Sequence, residues 1–99
     1  MQIYVILIHY LVPLERIRLT IPAHRAYLDT YFEKNVLLFS GMQSSKTGGI
    51  IIMRAKSLEE VNAFIHNDPF SQEGLARFEP LGLDVRRAQP WIEPWIKGP

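Results

Sequence analysis

Three stretches of this chain, residues 3–9 (IYVILIH), 36–39 (VLLF) and 50–53 (IIIM), are apolar at almost every position. They are rich in β-branched side chains and show no helical spacing of polar residues, so each predicts a strand. A strand that is apolar on both faces must be covered on both, and a sheet with one side left in water cannot provide that. A fourth strand follows from Phe78, where Leu81, Leu83 and Val85 alternate with Gly82, Asp84 and Arg86. That alternation gives it one wet face.

Two helices separate these strands. Pro22 fits a first helical turn, where a missing N–H costs nothing, and Ala23, Tyr27, Leu28, Tyr31 and Phe32 recur at helical spacing. The spacing predicts a helix over residues 22–34, ended by Asn35 in the left-handed conformation, with residues 11–21, including the charge-mixed run Glu15-Arg16-Ile17-Arg18, as a connecting loop that has room for one helical turn. Ser57-Leu58-Glu59-Glu60 is a capping box, and Leu58, Val61, Phe64 and Ile65 supply the buried stripe of a second helix ending near Asn67. Residues 43–49 have a turn composition and join the second and third strands as a hairpin. Residues 70–77 read as a loop or short helix around Gly74.

The resulting order, βαββαβ, is that of a ferredoxin-like α+β domain: a four-stranded antiparallel sheet with two helices on one face. At 99 residues there is room for one such domain, over residues 1–99. Two helices cover only one face of the sheet. The other would expose more apolar surface than the roughly 300–600 Å² usual for a monomer, so a homodimer is expected, the open faces packed together as an α+β barrel. Trp91 and Trp95, in the near-repeated Pro90-Trp91-Ile92 and Pro94-Trp95-Ile96, are expected to cover an edge or the partner.

Charge narrows the partners. The net charge is +1 with 21% charged residues, and no polybasic surface calls for nucleic acid or an anionic membrane. RNA-recognition domains share this strand order, but they need exposed aromatics on the central strands, where residues 50–53 are aliphatic. There is no cysteine, which excludes thiolate chemistry and Cys-based metal sites. The N-terminal apolar run lacks a basic leader segment and is too short to span a bilayer. A cytoplasmic protein is expected.

Chemistry points to Asn67-Asp68-Pro69-Phe70. Pro69 restricts Asp68 to extended conformations and ends the preceding helix, so a carboxylate is presented where backbone groups are free. Its expected partner is His24, read as lying just inside the start of the first helix. There the helix end disfavours the imidazolium and a carboxylate favours it. An oriented imidazole of this kind does general acid–base work. Each residue also has a plainer reading: His24 as a first-turn histidine bonded to a loop, and Asp68 as the cap of the next turn.

These segments, Pro22-Ala23-His24, Tyr27-Leu28, Leu38-Phe39-Ser40-Gly41, Asn67-Asp68-Pro69-Phe70 and Gly74-Leu75, together resemble the YCII-related proteins over nearly the whole chain. The resemblance implies a dimeric ferredoxin-like barrel with a His-Asp pair lining a pocket, here His24 and Asp68. It also implies cofactor-independent chemistry of the lyase, isomerase or dehydrohalogenase kind on a small molecule; the family includes an enzyme that removes chloride from chlorinated hydroxyhydroquinone or muconolactone-type compounds. Members usually carry a longer loop after the second strand, whereas Met42 follows Gly41 here in a compact hairpin, which changes the pocket mouth.

Around the pair, Ser40 and Gly41 close the second strand and are candidates to bind a substrate oxygen, while Pro69 and Phe70 are candidates for a pocket wall. A strand-end turn explains the first two equally well, and core packing explains Phe70. His9 shares a strand face with Val5 and Leu7, and His66 reads as a helix-end residue on the surface. The three histidines show no metal-ligand spacing, so no metal and no cofactor is expected. The alternative function is a small-molecule binding module without turnover.

Overall fold

The computed structural model describes residues 1–99. In chain order it contains β1 (Gln2–Tyr10), α1 (Leu14–Glu33), β2 (Leu37–Met42), β3 (Gly48–Ala55), α2 (Leu58–His66), α3 (Pro69–Gln72), β4 (Ala76–Leu83) and α4 (Glu93–Lys97). The strands form one antiparallel sheet in the order β2-β3-β1-β4. This is the ferredoxin-like α+β fold expected from the strand and helix order.

Helix α1 begins eight residues before the expected start (Leu14 against residue 22), and Pro22 lies inside it. Its entry is Pro13, in extended conformation, whose carbonyl accepts the N–H groups of Arg16 (2.9 Å) and Ile17 (3.2 Å). The mixed run Glu15-Arg16-Ile17-Arg18 is thus a helical turn. A proline inside a helix deprives the carbonyl four residues earlier of its donor, here that of Arg18. Arg18 and Pro22 are both exposed, so water can take the place of the missing N–H. The stripe facing the sheet is Ile17, Ile21, His24, Leu28 and Tyr31, at three- and four-residue steps straight across the proline, while Ala23 and Phe32 face solvent. His24 therefore sits mid-helix on the inner face, and the helix-end argument for its charge does not apply. The C-terminus behaves as expected: Asn35 has φ 61°, and Val36 N–H reaches back to the Tyr31 carbonyl at 3.2 Å.

The capping box starts α2, with the Ser57 hydroxyl accepting from Glu60 N–H. The Glu60 carboxylate reaches back to the N–H of Lys56, one residue earlier than in the usual box. Val61 and Phe64 are buried, whereas Leu58 is 47% exposed. The helices cover the sheet face made by Tyr4, Ile6, Ile8, Ile51 and Met53, giving one core cluster of 14 buried residues.

Strand β2 continues through Ser40 and Gly41, its expected end, to Met42. Its pairing with β3 slips between Leu37, opposite Met53, and Phe39, opposite Ile52. Leu38 is the extra residue of a β-bulge, and this decides which way Ser40 points. Leu37 is buried beneath the helices; strict alternation from it would turn Ser40 to the far face. The bulge reverses the phase, so Ser40, opposite Ile51, shares the helix-side face, and Phe39 stands outward, 57% exposed.

The uncovered face is apolar in rows. Phe39, Ile52, Val5 and Leu81 lie side by side across all four strands, and Ile50 and Leu7 follow in the next row, beside Glu79. The C-terminal segment folds over one end of this face. Arg54, only 6% exposed, donates to the carbonyls of Asn35 (2.9 Å) and Trp95 (2.7 Å), its guanidinium lies 5.3 Å from the Trp95 ring centroid, and the indole N–H donates to Asn35 (3.1 Å). Trp91 is 77% exposed.

Candidate active site

Asp68 is extended, as a residue before proline must be (φ −69°, ψ 135°), and its side chain caps α3, accepting the Phe70 N–H at 2.8 Å. Capping occupies Oδ1. Both oxygens also meet His24: Nδ1 lies 2.8 Å from Oδ2 and 3.0 Å from Oδ1. The Asp68 side chain has no solvent exposure and that of His24 has 12%. A carboxylate sealed from water is costly unless paired and hydrogen-bonded, so the imidazole is needed there structurally. The two segments, 44 residues apart in sequence, meet as the sequence reading required.

The pair fixes the tautomer. An ionised carboxylate only accepts, so Nδ1 carries the proton and donates it to Asp68. Nε2 is left as the accepting nitrogen and makes no hydrogen bond within the protein. Phe70, 1% exposed, stacks flat against the imidazole with centroids 4.1 Å apart and planes 10° from parallel. Phe70 thereby blocks the ring from tilting toward α3. Helix α3 is in turn tied to α1, because Arg16 bonds both Thr20 (2.9 Å) and Glu73 (2.8 Å). On the other side the Tyr27 hydroxyl donates to the Phe64 carbonyl of α2 at 2.7 Å.

His24 borders a cavity of about 150 Å³ between α1, the end of β1 and the β2–β3 hairpin. Ser40, Gly41 and Phe70 line it as expected, while Pro69 only starts α3 and does not reach it. Sequence reasoning missed Tyr10, Arg25 and Met42. Arg25 adjoins His24 in sequence, but a charged residue on a helix reads first as solvated; Met42 lies past the expected strand end. Burial raises the Tyr10 phenol above its ordinary value, so it stays a protonated donor. Burial, then the hydroxyl and charge of Tyr31 and the charge of Asp68, do the same for Tyr27.

Other features lie apart from this cavity. A larger hollow of about 490 Å³ lies at the opposite end of β1, beside Asp84 and Ile96, and contains no histidine. His9 bonds Glu79 at 2.9 Å on the uncovered sheet face, away from the cavity, and His66 is exposed. No three His, Cys, Asp or Glu side chains come together in a way that would hold a metal. No helix is long and apolar enough to cross a membrane.

Fold and site together define a class: a ferredoxin-like α+β domain with a histidine held by a buried carboxylate at the edge of a small cavity. The chain belongs to the YCII-related domain family, which it matches over residues 2–80. That match takes in both members of the pair and leaves residues 81–99, with α4, beyond it. Among solved structures the fold is similar to that of 5-chloro-2-hydroxyhydroquinone dehydrochlorinase (TftG) from Burkholderia phenoliruptrix AC1100, in complex with 2,5-dihydroxybenzoquinone. The two share 26% identity with a TM-score of 0.68, covering 87% of this chain and 95% of that one. No curated protein matches the chain.

Proposed function

We propose that this protein is a small-molecule enzyme performing cofactor-independent acid–base chemistry, an elimination or isomerisation, on a single-ring substrate. His24 transfers the proton and Asp68 orients it. The observation that carries this reading is an imidazole bonded through Nδ1 to a buried carboxylate and stacked on Phe70, with Nε2 free beside a cavity. In an elimination, Nε2 takes a proton from a ring hydroxyl or acidic C–H, the released electron pair forms the new double bond, and the leaving group departs with its own pair. In an isomerisation the same nitrogen returns the proton at another carbon. Proton transfer by a positioned side chain contributes about 10²- to 10⁴-fold. Size supports a single ring: an apolar cavity of about 150 Å³ accommodates one benzene molecule, and the volume here is about 150 Å³. The similar dehydrochlorinase acts on a compound of that size class.

The test is a product screen, including chloride release, on hydroxylated and halogenated monocyclic compounds, with 5-chloro-2-hydroxyhydroquinone among them. His24→Gln, whose amide still reaches toward Asp68, should lose at least about 10²-fold in turnover while remaining folded. Undiminished turnover in that variant would overturn the reading. Thermal stabilisation by a compound that is never converted would make the protein a binding module instead.

We further propose that the working form is a homodimer, packed through the apolar rows around Phe39, Ile52, Val5 and Leu81. Stable interfaces bury about 800 Å² per partner, and Phe39, Leu81 and Leu83, at 57%, 43% and 50% exposure, have area to lose. Sedimentation should give twice the 11.5 kDa chain mass, and Ile52→Lys should give the monomer. A wild-type monomer at micromolar concentration would refute it.

A further inference from the structure

The polar groups around the cavity are unusually one-sided. No aspartate or glutamate lines it; Asp68 lies behind the imidazole, engaged by His24 and the Phe70 N–H. Apart from the His24 ring, the polar side chains facing it are Arg25, Tyr10 and Ser40. Arg25 is exposed at the rim and has no anionic partner: the carboxylates that pair with basic side chains are Glu79 with His9, Glu73 with Arg16, Asp68 with His24 and Asp84 with Arg86. Asp29, one helical turn further along α1, is an acid at pairing distance in sequence, and no pair forms. The hydroxyls of Tyr10 and Ser40 likewise make no hydrogen bond within the protein.

A guanidinium is always charged and offers five donors in a planar fork suited to a carboxylate or similar oxyanion. Unpaired at the edge of a cavity with no acid in its wall, it disfavours cations and holds an oxyanion, where both partners are charged, more strongly than a neutral acceptor. Charge-assisted hydrogen bonds are roughly twice as strong as neutral ones.

We propose that Arg25 is a specificity-determining residue that selects single-ring substrates bearing an oxyanion, a carboxylate or an ionised ring hydroxyl, held at the rim while the ring enters beside His24 Nε2. This rests on the cavity being the substrate site. It adds to that reading the charge of the substrate and the direction in which it enters.

Binding of two molecules of closely similar shape, the anionic 2,5-dihydroxybenzoate and the neutral 2,5-dihydroxybenzamide, tests it. Affinities are read at neutral pH from NMR titrations of the intact protein, with the His24 ring resonances as reporter. The acid is expected to bind about tenfold tighter than the amide and to move the His24 signals. Arg25→Gln should bring the two to equal affinity, and Arg25→Lys should restore part of the difference. Equal binding in the wild type, or a preference that survives in Arg25→Gln, would overturn the assignment and leave the cavity reading standing. If neither compound moves the His24 signals, the cavity reading fails and the assignment falls with it.

Discussion

Replacing His24 by alanine should destabilise the protein strongly, and replacing Asp68 in the same molecule should give part of that stability back. His24→Ala strands a carboxylate with no solvent exposure, whose remaining partner is the Phe70 N–H. Leaving a buried carboxylate without its partner costs about 3–5 kcal/mol, the penalty of an uncompensated buried charge. Asp68→Asn keeps a carbonyl oxygen for the Phe70 N–H, so the cap survives, and loses only the bond to Nδ1, about 1–2 kcal/mol with a little water able to reach the ring. Asp68→Ala loses the cap as well, about 1 kcal/mol more. In the double variant His24→Ala/Asp68→Asn no charge is stranded. It should therefore be at least as stable as His24→Ala alone, with a coupling of about 1.5–3 kcal/mol, as for residues in direct contact. Urea unfolding followed by circular dichroism measures this, at one fixed protein concentration because association would shift the midpoint. Additivity within about 0.5 kcal/mol would mean that the two side chains do not meet, and the site would have to be abandoned.

Gly74 has φ +68° with nothing within 4 Å of where a Cβ would stand, so Gly74→Ala should cost only the left-handed backbone penalty, about 1–2 kcal/mol by urea unfolding. Ser57→Ala should cost about 1 kcal/mol through its cap and leave ligand binding unchanged. Tyr27 is held protonated above its ordinary value of 10.0. The native state thus keeps a proton that the unfolded chain releases, so stability should be full below about pH 10 and fall as pH rises beyond it. In Tyr27→Phe that alkaline loss should be smaller, although the variant starts lower by the hydrogen bond to Phe64; equal slopes above pH 10 would refute the cause given.

Much of this was legible in the sequence, because the signals were local. Strand runs, the Ser57 box and Asn35 carry their meaning within a few residues, and Asp-Pro fixes the backbone that presents a carboxylate. Pro22 reads most simply as a first-turn residue, the commonest place for proline in a helix, yet the stripe from Ile17 through His24 to Tyr31 runs straight across it and α1 starts at Leu14. That single shift moves His24 from a helix end to mid-helix. The bulge at Leu38 had no sequence signal, since a run apolar on both faces looks the same in either phase; yet it is what turns Ser40 toward the cavity. The covering of Arg54 by Trp95 depends on contacts between residues 41 apart, beyond the reach of any periodicity.

The proposed chemistry depends on His24 keeping its proton on Nδ1 and its lone pair on Nε2. ¹⁵N NMR of the histidine-labelled protein at a pH where the ring is neutral reads this directly. The expected spectrum shows His24 as the Nδ1–H tautomer alone, reverting toward a mixture in Asp68→Asn. A proton resting on Nε2, or the averaged tautomers of a free imidazole in the wild type, would contradict it.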